Sequence, residues 1–288
     1  MELTPLRQFR VIARERHMTR ASKILGVTQP ALSAMVRKLE SEVGAPLLHR
    51  TGKGVELTEA GHVFLEHAED AIRATEDGTR AVRELLGLER GSIRLGGGAT
   101  ATTYLLPSVI SAFRRAHPGV RFSIREAGSS AVTQSVLSGE MDLGIVTLPL
   151  TSGEDLLAVP LARDELRLIV PARHALAGRR SFRWTDLAEQ PVVAFEAESA
   201  VRSLIDAAAA THGVALDVAM ELRSIESIKQ MVAAGIGVGF VSRFALKKGE
   251  GLTCRDGRLT RELAIIRRSD RVPSPAAAEL EHLLVAAH

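Results

Sequence analysis

Within the first 57 residues, three helical apolar stripes are cut by glycine and followed by two short extended runs around a basic turn. Leu3, Leu6, Phe9, Val11, Ile12 and Ala13 make the first stripe. A second helix is expected from Thr19 as its N-cap through Ala21, Ile24 and Leu25, stopped by Gly26. Thr28 caps a third, in which Pro30 is tolerated because first-turn amides need no intrahelical partner. Its core face is Leu32, Val36 and Leu39, and Gly44 with Pro46 ends it. Leu47–Arg50 and Gly54–Leu57 then read as strands on either side of Thr51, Gly52 and Lys53. Three short helices and a small hairpin make a winged helix-turn-helix.

Charge is unevenly spread. Residues 1–53 hold ten basic and four acidic side chains, a net of +6. Residues 54–90 hold four and nine, a net of −5, and the rest carries +2 of the overall +3. A positive head on a near-neutral body is the pattern of a module for a polyanion. On the third helix Gln29, Ser33 and Arg37 share a stripe away from the core face, with Pro30 beside Gln29. Gln suits adenine edges, Arg guanine or phosphate, and Ser either. Taken alone, such a stripe is equally an ordinary solvated face. The Gly26 turn and the surrounding basic residues favour contact with double-stranded DNA. At the wing, Arg50 and Lys53 can enter a flanking minor groove, though basic hairpin turns also serve solubility alone.

Thr58 and Glu59 open a longer helix expected to reach Leu86 or Leu88. Phe64, Ala68, Ala71, Thr75, Gly78, Val82 and Leu85 alternate at spacings of four and three, a coiled-coil-like seam weakened at Thr75 and Gly78. Roughly 30 residues at 1.5 Å each give a rod of about 45 Å. An acidic flank of Glu66, Glu69, Asp70, Glu76 and Asp77 suits a rod held away from DNA. The expected role is linker and dimerisation helix, with packing on its own domain as the alternative.

Beyond Gly91 strands and helices alternate, the α/β signature. Strands are expected at 93–96, 120–126, 143–147, 166–170, 192–195, 218–222, 238–241 and 263–267. Helices are expected at 103–117, 131–138, 201–212, 225–234 and 276–287. The domain limits read as 1–58, 59–90 and 91–288, which suits a chain of 288 residues. The last part divides into lobes of about 91–161 plus 266–288, and about 162–265. Period and spacing alone do not establish that the chain crosses between lobes in this way.

The head carries a more specific signature. It contains Thr19-Arg20-Ala21-Ser22, Thr28-Gln29-Pro30-Ala31-Leu32-Ser33, Leu39-Glu40, Gly44-Ala45-Pro46-Leu47-Leu48-His49-Arg50 and Leu57-Thr58-Glu59-Ala60-Gly61. These runs resemble the LysR-type transcriptional regulators. The resemblance implies a winged helix, a linker helix and a two-lobed α/β effector domain like the type 2 periplasmic binding proteins. It also implies a homodimer assembling into a homotetramer, two sites upstream of a promoter, RNA polymerase as a further partner, and a small effector between the lobes. Ser22 stands where a second Ala is common, Met35 where Gln is frequent and Leu48 where Phe is frequent. The first and third are compatible core substitutions; Met35 bears on fine contacts.

For the effector cleft the resemblance implies Thr100 and Thr102, Ser129, and Ser199 to Arg202. Hydroxyls beside free helix amides suit a carboxylate or other small anion, although each is equally a simple N-cap. Thr147 closes another strand and is expected to face the same crevice. Gly235-Ile236-Gly237-Val238-Gly239-Phe240-Val241 looks like the family's glycine-rich turn, but Ser242 follows where Pro is usual and can donate a hydrogen bond that Pro cannot.

Other classes are disfavoured. At 3 % aromatic residues, an aromatic-lined site is not expected. The lone Cys254 excludes an internal disulfide and Cys-rich metal sites, and it reads as a surface or loop thiol. A redox-responsive regulator acting through Cys254 stays as an alternative, ahead of a cytosolic binding protein or an enzyme. No Ser lies in a nucleophile elbow, and the glycine runs lack the lysine of a P-loop and the strand-to-helix order of a dinucleotide site. No enzyme activity, cofactor or metal is expected. Charges throughout the first twenty residues argue against a secretory signal. The longest uncharged run, Leu95–Phe113, contains three glycines and Pro107, so no membrane association and a cytoplasmic location are expected.

Overall fold

Local signals set the first six elements: α1 (Leu3–Glu15), α2 (Met18–Leu25), α3 (Gln29–Val43), β1 (Leu48–Thr51), β2 (Gly54–Leu57) and α4 (Glu59–Leu85). The computed structural model describes residues 2–52, 54–85, 91–150 and 155–288, with backbone alone at 50, 80, 81 and 83–85. The expectations for the Arg50 side chain, for Lys53 and for the end of the linker helix beyond residue 85 therefore lie outside the described residues. Two units divide the chain, residues 1–89 and 90–288.

In the first unit α1 buries Leu6, Phe9 and Ile12. Thr19 does not cap α2. Arg16 turns left-handed at φ 49° and α2 starts at once, with His17 in the N-cap position and Thr19 inside the helix. The Thr19 carbonyl accepts instead from the Ser22 hydroxyl at 3.1 Å, which satisfies that buried Ser. In α3 the Thr28 side chain accepts from the Ala31 amide, and Leu32, Val36 and Leu39 face the core. The Glu40 carboxylate accepts from the amides of Leu47 (2.8 Å) and Leu48 (3.2 Å), which fixes where β1 begins. Thr58 caps α4 by accepting from the Gly61 amide and ties back to the Pro46 carbonyl at 2.7 Å. A Cβ on Gly61 would lie 2.1 Å from the Leu47 oxygen, so only glycine lets α4 approach this closely.

The α4 seam is divided. Ala68 and Ile72 are buried against Leu6, Phe9, Leu39 and Leu47, and the Phe64 ring meets Phe9 edge-on at 5.5 Å. Farther along, Ala71, Thr75, Gly78 and Val82 are exposed. The N-terminal half of the helix thus packs on its own unit, and only the distal part of the expected seam is uncovered.

The second unit is one mixed sheet in the order β4-β3-β5-β12-β6-β10-β8-β9. Its strands are β3 (Ser92–Gly97), β4 (Arg121–Glu126), β5 (Leu143–Thr147), β6 (Leu156–Ile169), β8 (Pro191–Phe195), β9 (Asp217–Leu222), β10 (Val238–Ser242) and β12 (Thr260–Arg268); β7 (Ser181–Phe182) and β11 (Thr253–Cys254) pair separately. Helices α5 (Leu106–Ala116), α6 (Ser129–Leu137), α7 (Ala200–Thr211), α8 (Ile225–Ala233) and α9 (Pro275–Ala287) flank it. The strand expected at 166–170 is the end of a 14-residue strand. β6 pairs antiparallel with β12 through its first part, then with β10 through Leu166–Ile169. It carries the chain from one half-sheet into the other, and β12 returns beside β5. The lobe limits expected at 161/162 and 265/266 fall inside these two crossing strands. One core gathers around Phe182, Trp184 and Phe240 in the second half. Two others line the faces of the first half, around Phe113 and around Val132.

The expected helix from 103 begins differently. Ala101–Leu105 form a single π turn that leads into α5 with Pro107 in its first turn. None of the described helices is long and apolar enough to cross a membrane.

Candidate functional site

The exposed side of α3 is built by helix period. Its core residues leave Gln29, Pro30 and Arg37 exposed and Ser33 half-buried on the opposite side. Among the described residues no acidic group pairs with Arg37, whereas Lys38 sits 4.0 Å from Glu42. Met35 is half-buried between the two small cores of this unit, so packing occupies it. Leu48 packs in the same two clusters. The wing is anchored where the Val55 amide donates to the Arg16 carbonyl at 3.1 Å.

In the second unit three of the expected hydroxyl residues meet. Thr100 follows β3, Ser129 opens α6 and Thr147 ends β5, so all sit at the same end of parallel strands. The Thr147 amide donates to Ser129 Oγ at 3.0 Å. Arg261, on the returning strand β12, donates to Thr100 Oγ1 at 2.7 Å and to Thr147 Oγ1 at 3.2 Å. Asp164, its register partner on β6 and fully buried, accepts from Arg261 Nε at 2.9 Å. The other Asp164 oxygen accepts from Ser242 Oγ at 2.8 Å. Ser242 thus makes the bond that proline could not, and β10 is tied to the crossing strands. A buried carboxylate and guanidinium are tolerated because each is paired and further hydrogen-bonded. Sequence reasoning missed Arg261 and Asp164, which no local motif marks.

The remaining candidates are engaged elsewhere. Thr102 donates to Glu126 at 2.7 Å. Ser199 caps α7 by accepting from the Val201 amide. Arg202 is held by Asp206, by Glu221 at 2.9 Å and by the Phe195 carbonyl at 3.0 Å. Burial opposes its charge, but the bonds to Glu221 and Asp206 outweigh this and raise its pKa. No hydrogen bond among the described residues joins Ser199 or Arg202 to the Arg261 group. A second bridge crosses the two halves where Tyr104, in the π turn, donates to Glu226 at the start of α8, which also pairs with Lys229 at 3.0 Å. Burial, then the Glu226 carboxylate, pushes the Tyr104 phenol well above its ordinary range.

Cys254 is neither a surface nor a loop thiol. It lies buried in β11, against the core of the second half, because pairing of β11 with β7 turns it inward. Burial pushes its thiol pKa up, the direction opposite to that of a reactive thiolate.

Comparison with known proteins agrees with this architecture. Residues 3–62 match the lysR family of bacterial regulatory helix-turn-helix proteins, and residues 86–288 match the LysR substrate binding domain. A "Probable RuBisCO transcriptional regulator" of Synechocystis sp. is 33% identical over 287 residues, covering 96% of this chain and 83% of the relative. Full-length CbnR solved with its target DNA has a TM-score of 0.73 at 21% identity, covering 100% of both chains. The regulatory domain of Synechocystis CcmR in complex with 2-PG has a TM-score of 0.62 at 24% identity, over 68% of this chain and 97% of that domain. With a DNA-binding head and an effector-binding body both matched, this chain belongs to the LysR family of transcriptional regulators.

Proposed function

We propose that this regulator answers to a small anionic effector held where Thr100, Ser129 and Thr147 converge. The carrying observation is that these hydroxyls arrive from three separate elements beside Arg261, with Thr100 and Thr147 buried and Ser129 half-buried. An ion bound there touches elements whose relative placement sets how the lobes close. The likeness in fold to the CcmR domain solved with 2-PG supports a small-molecule effector. Gln29, Ser33 and Arg37, with Pro30 in the first turn, read or hold promoter DNA, and Arg50 and Lys53 add salt-dependent affinity from the wing. The protein acts in the cytoplasm by binding, not by catalysis, as a homodimer that pairs into a homotetramer and addresses RNA polymerase at the promoter. Half-sites for one dimer then lie about one helical turn apart.

Thermal-shift titration of the full chain against small carboxylates, phosphorylated compounds, amino acids and neutral controls tests the effector reading. Saturable stabilisation by one anionic class, lost in Thr100→Val and in Ser129→Ala, is expected. Stabilisation by neutral compounds alone contradicts it. For the DNA assignment, gel shifts with the DNA upstream of the protein's own gene should weaken steeply with salt.

A further inference from the structure

We infer that Arg261 is the residue that makes the cleft select an oxyanion, a carboxylate or phosphate group, over a neutral ligand; this rests on the effector reading above. The guanidinium carries five N–H donors in a fixed plane. Nε donates to Asp164, and Nη2 lies 2.9 Å from the same Asp164 oxygen. Nη2 also reaches Thr100 and Nη1 reaches Thr147. The second N–H of Nη1 meets no acceptor among the described residues.

The hydroxyls around it are in the same condition. Thr100 and Thr147 accept from Arg261, and Ser129 accepts from the Thr147 amide, so each keeps its own O–H to donate. With Arg261 occupying the acceptor side of Thr100 and Thr147, and the Thr147 amide that of Ser129, three neighbouring O–H groups are left as donors without an acceptor among the described residues, and Thr100, Thr147 and Arg261 are buried. A group that only accepts satisfies such a set, and an ionised carboxylate or phosphate does so with charge-assisted bonds. A neutral alcohol or amide brings donors of its own and leaves part of the set unpaired. Asp164 holds the guanidinium from behind, leaving the Nη edge toward the hydroxyls.

The experiment is calorimetric titration of the full chain with potassium phosphate and with potassium acetate, at constant ionic strength made up with chloride. Wild type is compared with Arg261→Lys, which keeps the charge but loses the fork, and with the paired change Asp164→Asn/Arg261→Gln, which removes both charges together so that neither is stranded. Phosphate, acetate or both should bind saturably to wild type, and the affinity should fall tenfold or more in both variants. Whichever anion binds tighter identifies which of the two groups the cleft takes. If Thr100→Val loses binding while the Arg261 variants retain it, the inference is overturned and the effector site stands. If neither anion binds wild type, the anionic class and this inference fall together. Should the paired variant not melt cooperatively, Arg261→Lys alone decides.

Discussion

Single residues separate what a sequence displays from what only folding brings together. Thr28, Thr58 and the apolar triad of α3 were readable because each acts within a turn or two of itself. Thr100, Ser129 and Thr147 were readable as hydroxyls at strand ends. Arg261 and Asp164 were not, since they stand 97 positions apart and meet only through the register of β12 on β6. Arg202 shows the reverse. Its place after Ser199 suggested a ligand, but Glu221, from β9, pairs with it. For the DNA face, Gln29→Ala and Arg37→Ala should each cost about 1–3 kcal/mol of binding if they read bases. Quantitative footprinting checks this, and unchanged strength with unchanged sequence preference counts against the assignment. Cys254, its thiol pushed up by burial, should react slowly with iodoacetamide in the native protein and quickly in denaturant. Peroxide should leave DNA binding equal in wild type and Cys254→Ser; a difference would restore a redox role.

Among the elements, α4 and β6 depart furthest from local expectation. The helix was legible in length and seam, but its hydrophobic period could not say which partner covers which part. Phe9, Leu39 and Leu47 take the first half. The long β6 was half hidden because Pro160, Arg163, Asp164 and Glu165 interrupt its apolar pattern, although each pairs across to β12. The join between wing and helix rests on one close contact. Gly61→Ala should lower stability by on the order of 1–3 kcal/mol, because a Cβ 2.1 Å from the Leu47 oxygen forces backbone to move. Chemical denaturation of the full chain reads this, and an unchanged midpoint would show that the contact relaxes freely.

In the second unit, two polar bridges among the described residues tie the halves together. One is Asp164 with Arg261 and Ser242; the other is Tyr104 with Glu226 and Lys229. The second is pH-dependent in a definite sense. Glu226 is held below its ordinary value of 4.5 by the Tyr104 hydroxyl and then by Lys229, so its contribution is present above that value and is lost as pH falls through the lowered one. Tyr104 is raised above 10.0, so its contribution is present below that value and fades as pH rises through the raised one. The melting-temperature difference between wild type and Tyr104→Phe should be flat from about pH 6 to 9 and shrink in acid. A difference that stays constant down to pH 3 would contradict this pH dependence.

An effector shifts such an assembly only if it prefers one arrangement of the lobes. Bending an operator of 20–30 base pairs costs roughly 1–6 kcal/mol, so a modest preference suffices to change the DNA path. The most direct test is DNase I footprinting of the full chain on the DNA upstream of its own gene, with and without a saturating anion that stabilises the protein. The account predicts that protection at one half-site moves, or a hypersensitive band between sites changes, in wild type and not in Thr100→Val. Identical footprints with and without the bound anion would contradict it.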